Sequence, residues 1–215
     1  GTSGHLALLD AAELPATFGV AAERFRALVA TGSFRGRAVV TTSEDDVETV
    51  REALDATGFG AADVVVGVAA SGTTPFVVAG LDRAAERGCR TVGIANNPAT
   101  AVLAGRDVSI FLDTGPEVVT GSTRLKAGTA QKLALNRIST TAMVLAGRVV
   151  SNLMVEVRPG PEKLRSRCVR IVRDLTGVGG DEARALLEAS EWSIRDAVAR
   201  APAPAPQLRA DAVDE

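Results

Sequence analysis

Apolar positions along the chain follow two rhythms. Residues 63–70, DVVVGVAA, form a short apolar, β-branched run, the pattern of a strand covered on both faces. The turn SGTTP comes next, then a helical pattern over 75–87 that Gly88 stops. Residues 91–96, TVGIAN, and 108–113, VSIFLD, repeat the strand pattern. Strands alternating with helices at this spacing predict βαβ units and a parallel sheet. Residues 125–146, LKAGTAQKLALNRISTTAMVLA, contain no proline and predict one long helix. It is too polar for a membrane and too apolar all round for a surface helix, which predicts burial between layers or subunits.

Further on, Leu164, Cys168, Ile171, Val172 and Leu175 recur at helical spacing. Two short amphipathic segments follow, over 182–189 and 193–200. The expected organisation is a main domain over 1–157, a small helical appendage over 158–201 and a Pro/Ala-rich, acidic-ended tail over 202–215, extended and mobile. The opening GTSG reads as a strand-to-helix loop without its strand, so the first strand of the sheet is expected upstream of Gly1.

Composition narrows the chemistry. Across 215 residues the hydrophobic fraction is 46% and the charged fraction 23%, which excludes global disorder. Lys and Arg number 24 against 26 Asp and Glu, so the basic excess of a general nucleic-acid binder is missing. Cys89 and Cys168 are too few for a disulfide framework and fit a reduced, cytoplasmic compartment. No apolar run reaches the ~18 residues of a membrane span. The single histidine, His5, cannot build a multi-histidine metal site; it is expected on a helix surface, and Cys89 in the core. With no Tyr and one Trp, an aromatic stacking platform is not expected. Catalysis would fall to carboxylates, hydroxyls, Lys or Arg, and backbone amides.

Two Gly/Ser/Thr segments sit where a parallel sheet offers ligand sites: GTSG with the helical HLALLDAAE behind it, and ASGTTP directly after the best strand. Small residues let backbone approach an anion, helix N-terminal amides point at it, and hydroxyls add donors. Each is also compatible with an ordinary tight turn. Neither is a Walker sequence or GxGxxG, so a monophosphate fits better than a nucleotide. In EVVTGSTRLKAGTAQK, Ser122 and Thr123 can cap the long helix, while Arg124 and Lys126 put cations in its first turn. Cations there oppose the helix dipole and call for an anionic ligand, a carboxylate or solvent. Glu13 ends the first helical stretch, just before Pro15. Glu44 lies in TSEDD, where Thr42 or Ser43 could cap a helix running to about residue 56; on charge placement alone Glu44 reads as a dipole partner.

Three segments carry a resemblance: GTSGHLALLDAAELPATFG, DVVVGVAASGTTPFVVAGL and GPEVVTGSTRLKAGTAQKLALNRIST. They closely resemble the N-acetylmuramic acid 6-phosphate etherase family, of the sugar isomerase (SIS) phosphosugar-binding superfamily, and SNLMVEV and EKLRSRCVRIVRDLTG extend the likeness over about residues 1–200. It implies an α/β three-layer fold with a flavodoxin-like parallel sheet, a cytoplasmic homodimer, a phosphorylated amino-sugar substrate and no metal or redox cofactor. The implied reaction removes the D-lactyl ether of N-acetylmuramic acid 6-phosphate by elimination and hydration. Glu13 and Glu44 match the two glutamates that carry it: Glu13 would protonate departing lactate and then activate water, and Glu44 would handle the proton at carbon 2. Phosphate would sit among Thr2, Ser3, Ser71, Gly72, Thr73, Thr74 and Ser122, with Lys126 reaching the sugar or the lactyl carboxylate.

The chain departs from the family at His5 and Thr73, where the family usually has Arg, and at Leu14, Ala16, Ser151 and Glu156. A SIS sugar-phosphate isomerase or a non-catalytic sugar-phosphate regulator would share the same loops.

Overall fold

The computed structural model describes residues 1–30, 43–157 and 162–202. The chain forms two compact units: Gly1–Glu13 with Ala22–Thr140, and Leu14–Ala21 with the chain from Thr141 onward.

The first unit holds the sheet. Strands β1 (Val64–Ala69), β2 (Arg90–Ala95) and β3 (Val108–Phe111) lie in sequence order, all parallel. Val64 pairs with Arg90 and Val92 with Val108. The fold is α/β, as the strand–helix alternation predicts. Helix α3 (Pro75–Glu86) connects β1 to β2 and buries Phe76, Ala79, Leu81 and Ala84. Gly67 makes room for it: a methyl there would come within 2.6 Å of Leu81 Cδ1 and 2.9 Å of Val77 Cγ1. Helix α2 (Val47–Asp55) adds Val50 and Leu54 to the same core, with Phe59 and Cys89. Cys89 is 5% exposed, as expected, and its Sγ donates to the carbonyl of Gly60. Along β1, Gly67 and Ala69 are buried and Val66 and Val68 half-buried, so both faces carry cover, while Val64 at its start is 59% exposed.

Helix α1 (Thr2–Phe18) begins earlier and ends later than its sequence suggests. The amide of His5 donates to Gly1 O at 3.2 Å, so GTSG forms the first helical turn rather than a loop before it. Pro15 lies inside the helix. Proline removes one amide donor, but Leu14 and Phe18, four apart and both buried, hold the last turn in place. Gly19, at φ +63°, ends it, where a side chain would strike Glu156 O.

Helix α4 (Lys126–Leu145) buries Ala127, Gln131, Leu135, Ser139 and Met143, one residue every four. Its remaining surface is more open than a fully enclosed helix would be: Leu133 is 55% exposed and Leu145 82%.

The second unit closes around α5 (Glu162–Thr176), α6 (Gly180–Glu188) and α7 (Ile194–Arg200), with the hairpin β4 (Val149–Val150) and β5 (Leu153–Met154). Cys168, Ile171 and Val172 meet Leu187, Ile194 and Ala197 in its core, the stripe read from the sequence. At the hairpin turn Ser151 takes φ +54°, a left-handed conformation that glycine adopts at less cost. Glu156 pairs with Arg195 and, at 3.6 Å, with Arg148. Of the tail expected over 202–215, residues 203–215 lie outside the described residues.

Candidate functional site

Beyond the carboxyl end of β1, and along the edge that has no paired strand among the described residues, lies a cavity of about 620 Å³ within the first unit. Residues of both parities along β1 line it, so part of the volume follows the strand edge rather than its end. The polar end is built by three segments. The first turn of α1 contributes Thr2 and Ser3, the loop after β1 contributes Ser71 and Thr74, and the segment before α2 contributes Glu44. Thr123, ahead of α4, completes this rim.

Local physics fixes each piece. In the β1–α3 loop Gly72 takes φ +75°, and the Thr73 amide donates to Ser71 Oγ at 3.3 Å. Ser71 Oγ and Thr74 Oγ1 lie 3.5 Å apart. Pro75 opens α3, the helix position where its missing amide costs least. The expected capping of α2 by Thr42 or Ser43 is corrected by the structure. Asp46 is the N-cap of α2, accepting from the Thr49 amide at 3.0 Å, because its short side chain reaches back to that amide. Ser43 instead accepts from Asp45 N, and Thr42 lies outside the described residues. Glu44 is left on the cavity wall. Its backbone carbonyl accepts from Phe76 N at 2.9 Å, and its Oε1 lies 3.7 Å from Gly1 N. Glu44 thus lies beside the starts of both α3 and α1. Gly128 of α4 allows the approach of α1, since a methyl there would lie 3.2 Å from Thr2 Cγ2.

Other expected residues lie off this wall. Gly72 and Thr73 belong to the loop but do not line the cavity. Ser122 turns back on Val119, and Lys126 Nζ lies near Gly115, 3.8 Å from where a methyl on that residue would sit. Glu13 is exposed on α1. It follows Thr2 by eleven residues, about 16 Å along the helix and on nearly the same face.

Sequence reasoning missed Glu117. Its carboxylate accepts from the amides of Lys126 at 3.0 Å and Ala127 at 2.9 Å, so it caps α4 in place of Ser122 or Thr123. The Ala127 hydrogen bond leads in holding its carboxyl below the ordinary value. Lys126, the cation of the first turn, therefore has a carboxylate beside it, while Arg124 precedes the helix. The dipole-opposing pair Arg124 and Lys126 was the signal; a partner nine residues upstream of the helix start was not legible. Asp10 is a second omission. Burial pushes its carboxyl up, opposed by a hydrogen bond from Ser139 at 3.2 Å and by the charge of Lys132. His5, expected at the surface, is half-buried with Nε2 enclosed.

Among the described residues no group of three or more His, Cys, Asp or Glu could hold a metal ion, and no helix is long and apolar enough to cross a membrane.

No protein-family model matches the chain. Curated relatives do. It is 48% identical over 198 residues to proteins named N-acetylmuramic acid 6-phosphate etherase from Escherichia coli O81 (strain ED1a), Escherichia coli O17:K52:H18 (strain UMN026 / ExPEC) and Shigella dysenteriae serotype 1 (strain Sd197). The chain belongs to the N-acetylmuramic acid 6-phosphate etherase family. The matched stretch is 92% of this chain and spans 66% of the length of those relatives.

Proposed function

We propose that this chain is the phosphosugar-binding and catalytic part of an etherase that converts N-acetylmuramic acid 6-phosphate and water to N-acetylglucosamine 6-phosphate and D-lactate, in peptidoglycan recycling. The observation that carries the proposal is the convergence of Glu44 with Ser3, Ser71 and Thr74 on one cavity, in a chain 48% identical to proteins of that name.

In the open-chain aldehyde form of the sugar, the proton at carbon 2 is acidified by the neighbouring carbonyl. Glu44 takes that proton. The electron pair forms the carbon 2–carbon 3 double bond, and the ether bond at carbon 3 breaks. Lactate leaves with a proton supplied by Glu13, a role that rests on the family resemblance, as the residue lies off the cavity wall. Water, deprotonated by Glu13, then adds to carbon 3, and Glu44 returns the proton to carbon 2. Each carboxyl ends as it began, and the sequence of steps calls for no cofactor. Thr2, Ser3, Ser71 and Thr74 hold the 6-phosphate by hydroxyl and amide donors. Thr73 stands where the family usually has Arg, so the phosphate grip relies on neutral donors. Gly72 and Thr73 shape that loop, while Ser122 and Lys126 meet the ligand only if the segment ahead of α4 closes on it.

The protein acts as a cytoplasmic homodimer, and the apolar surface of α4 at Leu133 and Ile138 supports a second copy as its cover.

The test is D-lactate release from the 6-phosphate substrate, read alongside exchange of the carbon 2 proton in deuterated water. Glu44→Gln is expected to lose both. Glu13→Gln is expected to lose lactate release but retain exchange. General acid–base groups contribute about 10²–10⁴-fold, so either defect is readable. An isomerase would give a ketose and no lactate. Lactate release at the unmodified rate from both variants would reject the mechanism.

A further inference from the structure

Three successive carbonyls of the loop after β1 point into the connection between β2 and β3, and each accepts a hydrogen bond from it. Ala70 O receives the Asn96 amide at 3.1 Å and Asn97 Nδ2 at 3.2 Å. Ser71 O receives Asn97 Nδ2 at 3.3 Å. Gly72 O receives the Val102 amide at 2.9 Å. Thr100 packs flat against Gly72, where a methyl would lie 2.6 Å from Thr100 Cβ. One side chain, Asn97, spans two of the three carbonyls, and a carboxamide NH₂ has two hydrogens to give.

This arrangement has an electrostatic consequence. A loop of small residues exposes as many carbonyl oxygens as amides, and an incoming phosphate is repelled by the first and held by the second. Directing all three carbonyls at donors of the neighbouring connection turns their negative ends away from Ser71 and Thr74 on the cavity wall. The need is greater in a loop that carries Thr73 and no positive charge.

We propose that Asn97 is a positioning residue for phosphate recognition, acting through the 70–72 carbonyls and not by touching the ligand. It sits outside the cavity lining, after the strand next to the one that carries the loop. The proposal rests on the reading of this cavity as a 6-phosphosugar site. It adds a residue from the β2–β3 connection to that site.

The experiment is titration calorimetry of the unmodified protein, Asn97→Asp and Asn97→Ala with N-acetylglucosamine 6-phosphate, inorganic phosphate and unphosphorylated N-acetylglucosamine. Thermal melts accompany each titration. Asn97→Asp keeps the size but sets carboxylate oxygens against two carbonyls; Asn97→Ala removes the donors alone and serves if the first does not fold. The phosphosugar and inorganic phosphate are each expected to bind about tenfold more weakly to Asn97→Ala and weaker still to Asn97→Asp, with the unphosphorylated sugar unaffected. In turnover, KM rises by a similar factor while kcat moves by less than about threefold. A lower melting temperature with unchanged phosphate affinity would overturn the proposal, as would equal losses for both sugars or no phosphate binding by the unmodified protein. Lactate release is scored separately. If the unmodified protein binds phosphosugar without releasing lactate and Asn97→Ala loses that binding, the reaction assignment falls and the positioning role stands. If lactate is released with KM unmoved in both variants, the positioning role falls and the reaction stands.

Discussion

Replacing Gly72 by Ala tests how tightly the loop after β1 is held. The backbone there has φ +75°, and for an L residue this conformation costs about 1–2 kcal/mol. The added methyl has no room: it would fall within van der Waals contact of Thr100 Oγ1, 2.6 Å from Thr100 Cβ and 2.8 Å from Cγ2. Overpacking of this kind costs about 1–3 kcal/mol. The expected loss for Gly72→Ala is therefore about 2–5 kcal/mol, the sum of the two. Urea unfolding followed by circular dichroism measures it. The Thr100→Gly background separates the terms, because it removes the crowding and leaves the backbone cost. In that background Gly72→Ala should cost only about 1–2 kcal/mol, a coupling of about 1–3 kcal/mol between the two sites. A loss below about 0.5 kcal/mol, or the same loss in both backgrounds, would refute the reasoning.

Two further outcomes follow from the caps and turns. Glu117→Ala should speed hydrogen exchange at the amides of Lys126 and Ala127 and lower the melting temperature. The carboxyl is held below its ordinary value of 4.5 in the folded state, so its stabilisation is complete above that pH and fades as pH falls through the lowered folded value. The melting difference between the two proteins should close in acid, and a difference independent of pH would count against the cap. Ser151→Gly should raise stability by about 0.5–1 kcal/mol, since φ +54° suits glycine and only the extra freedom of the unfolded chain opposes the gain. A fall in the urea midpoint would show that the Ser151 side chain contributes more than its backbone costs.

Periodicity determined the parallel sheet, the helix between β1 and β2, and the stripe Cys168–Ile171–Val172, because these depend on spacing within one element. The small-residue loop at Ser71–Thr74 was legible for the same reason: its position after an apolar run fixes it at a strand's carboxyl end. Tertiary structure decided what spacing could not express. Pro15 looks like a helix stop, yet buried Leu14 and Phe18 carry α1 past it. Glu44 reads as a dipole partner of a helix capped by Thr42 or Ser43, but Asp46 is the cap, the helix starts at Val47 and Glu44 lies on the cavity wall. The cap of α4 comes from Glu117 and the support of the Ser71 loop from Asn97, each contributed by a different loop. Hydrogen bonds between segments distant in sequence leave no periodic trace, since only the folded chain brings donor and acceptor within reach.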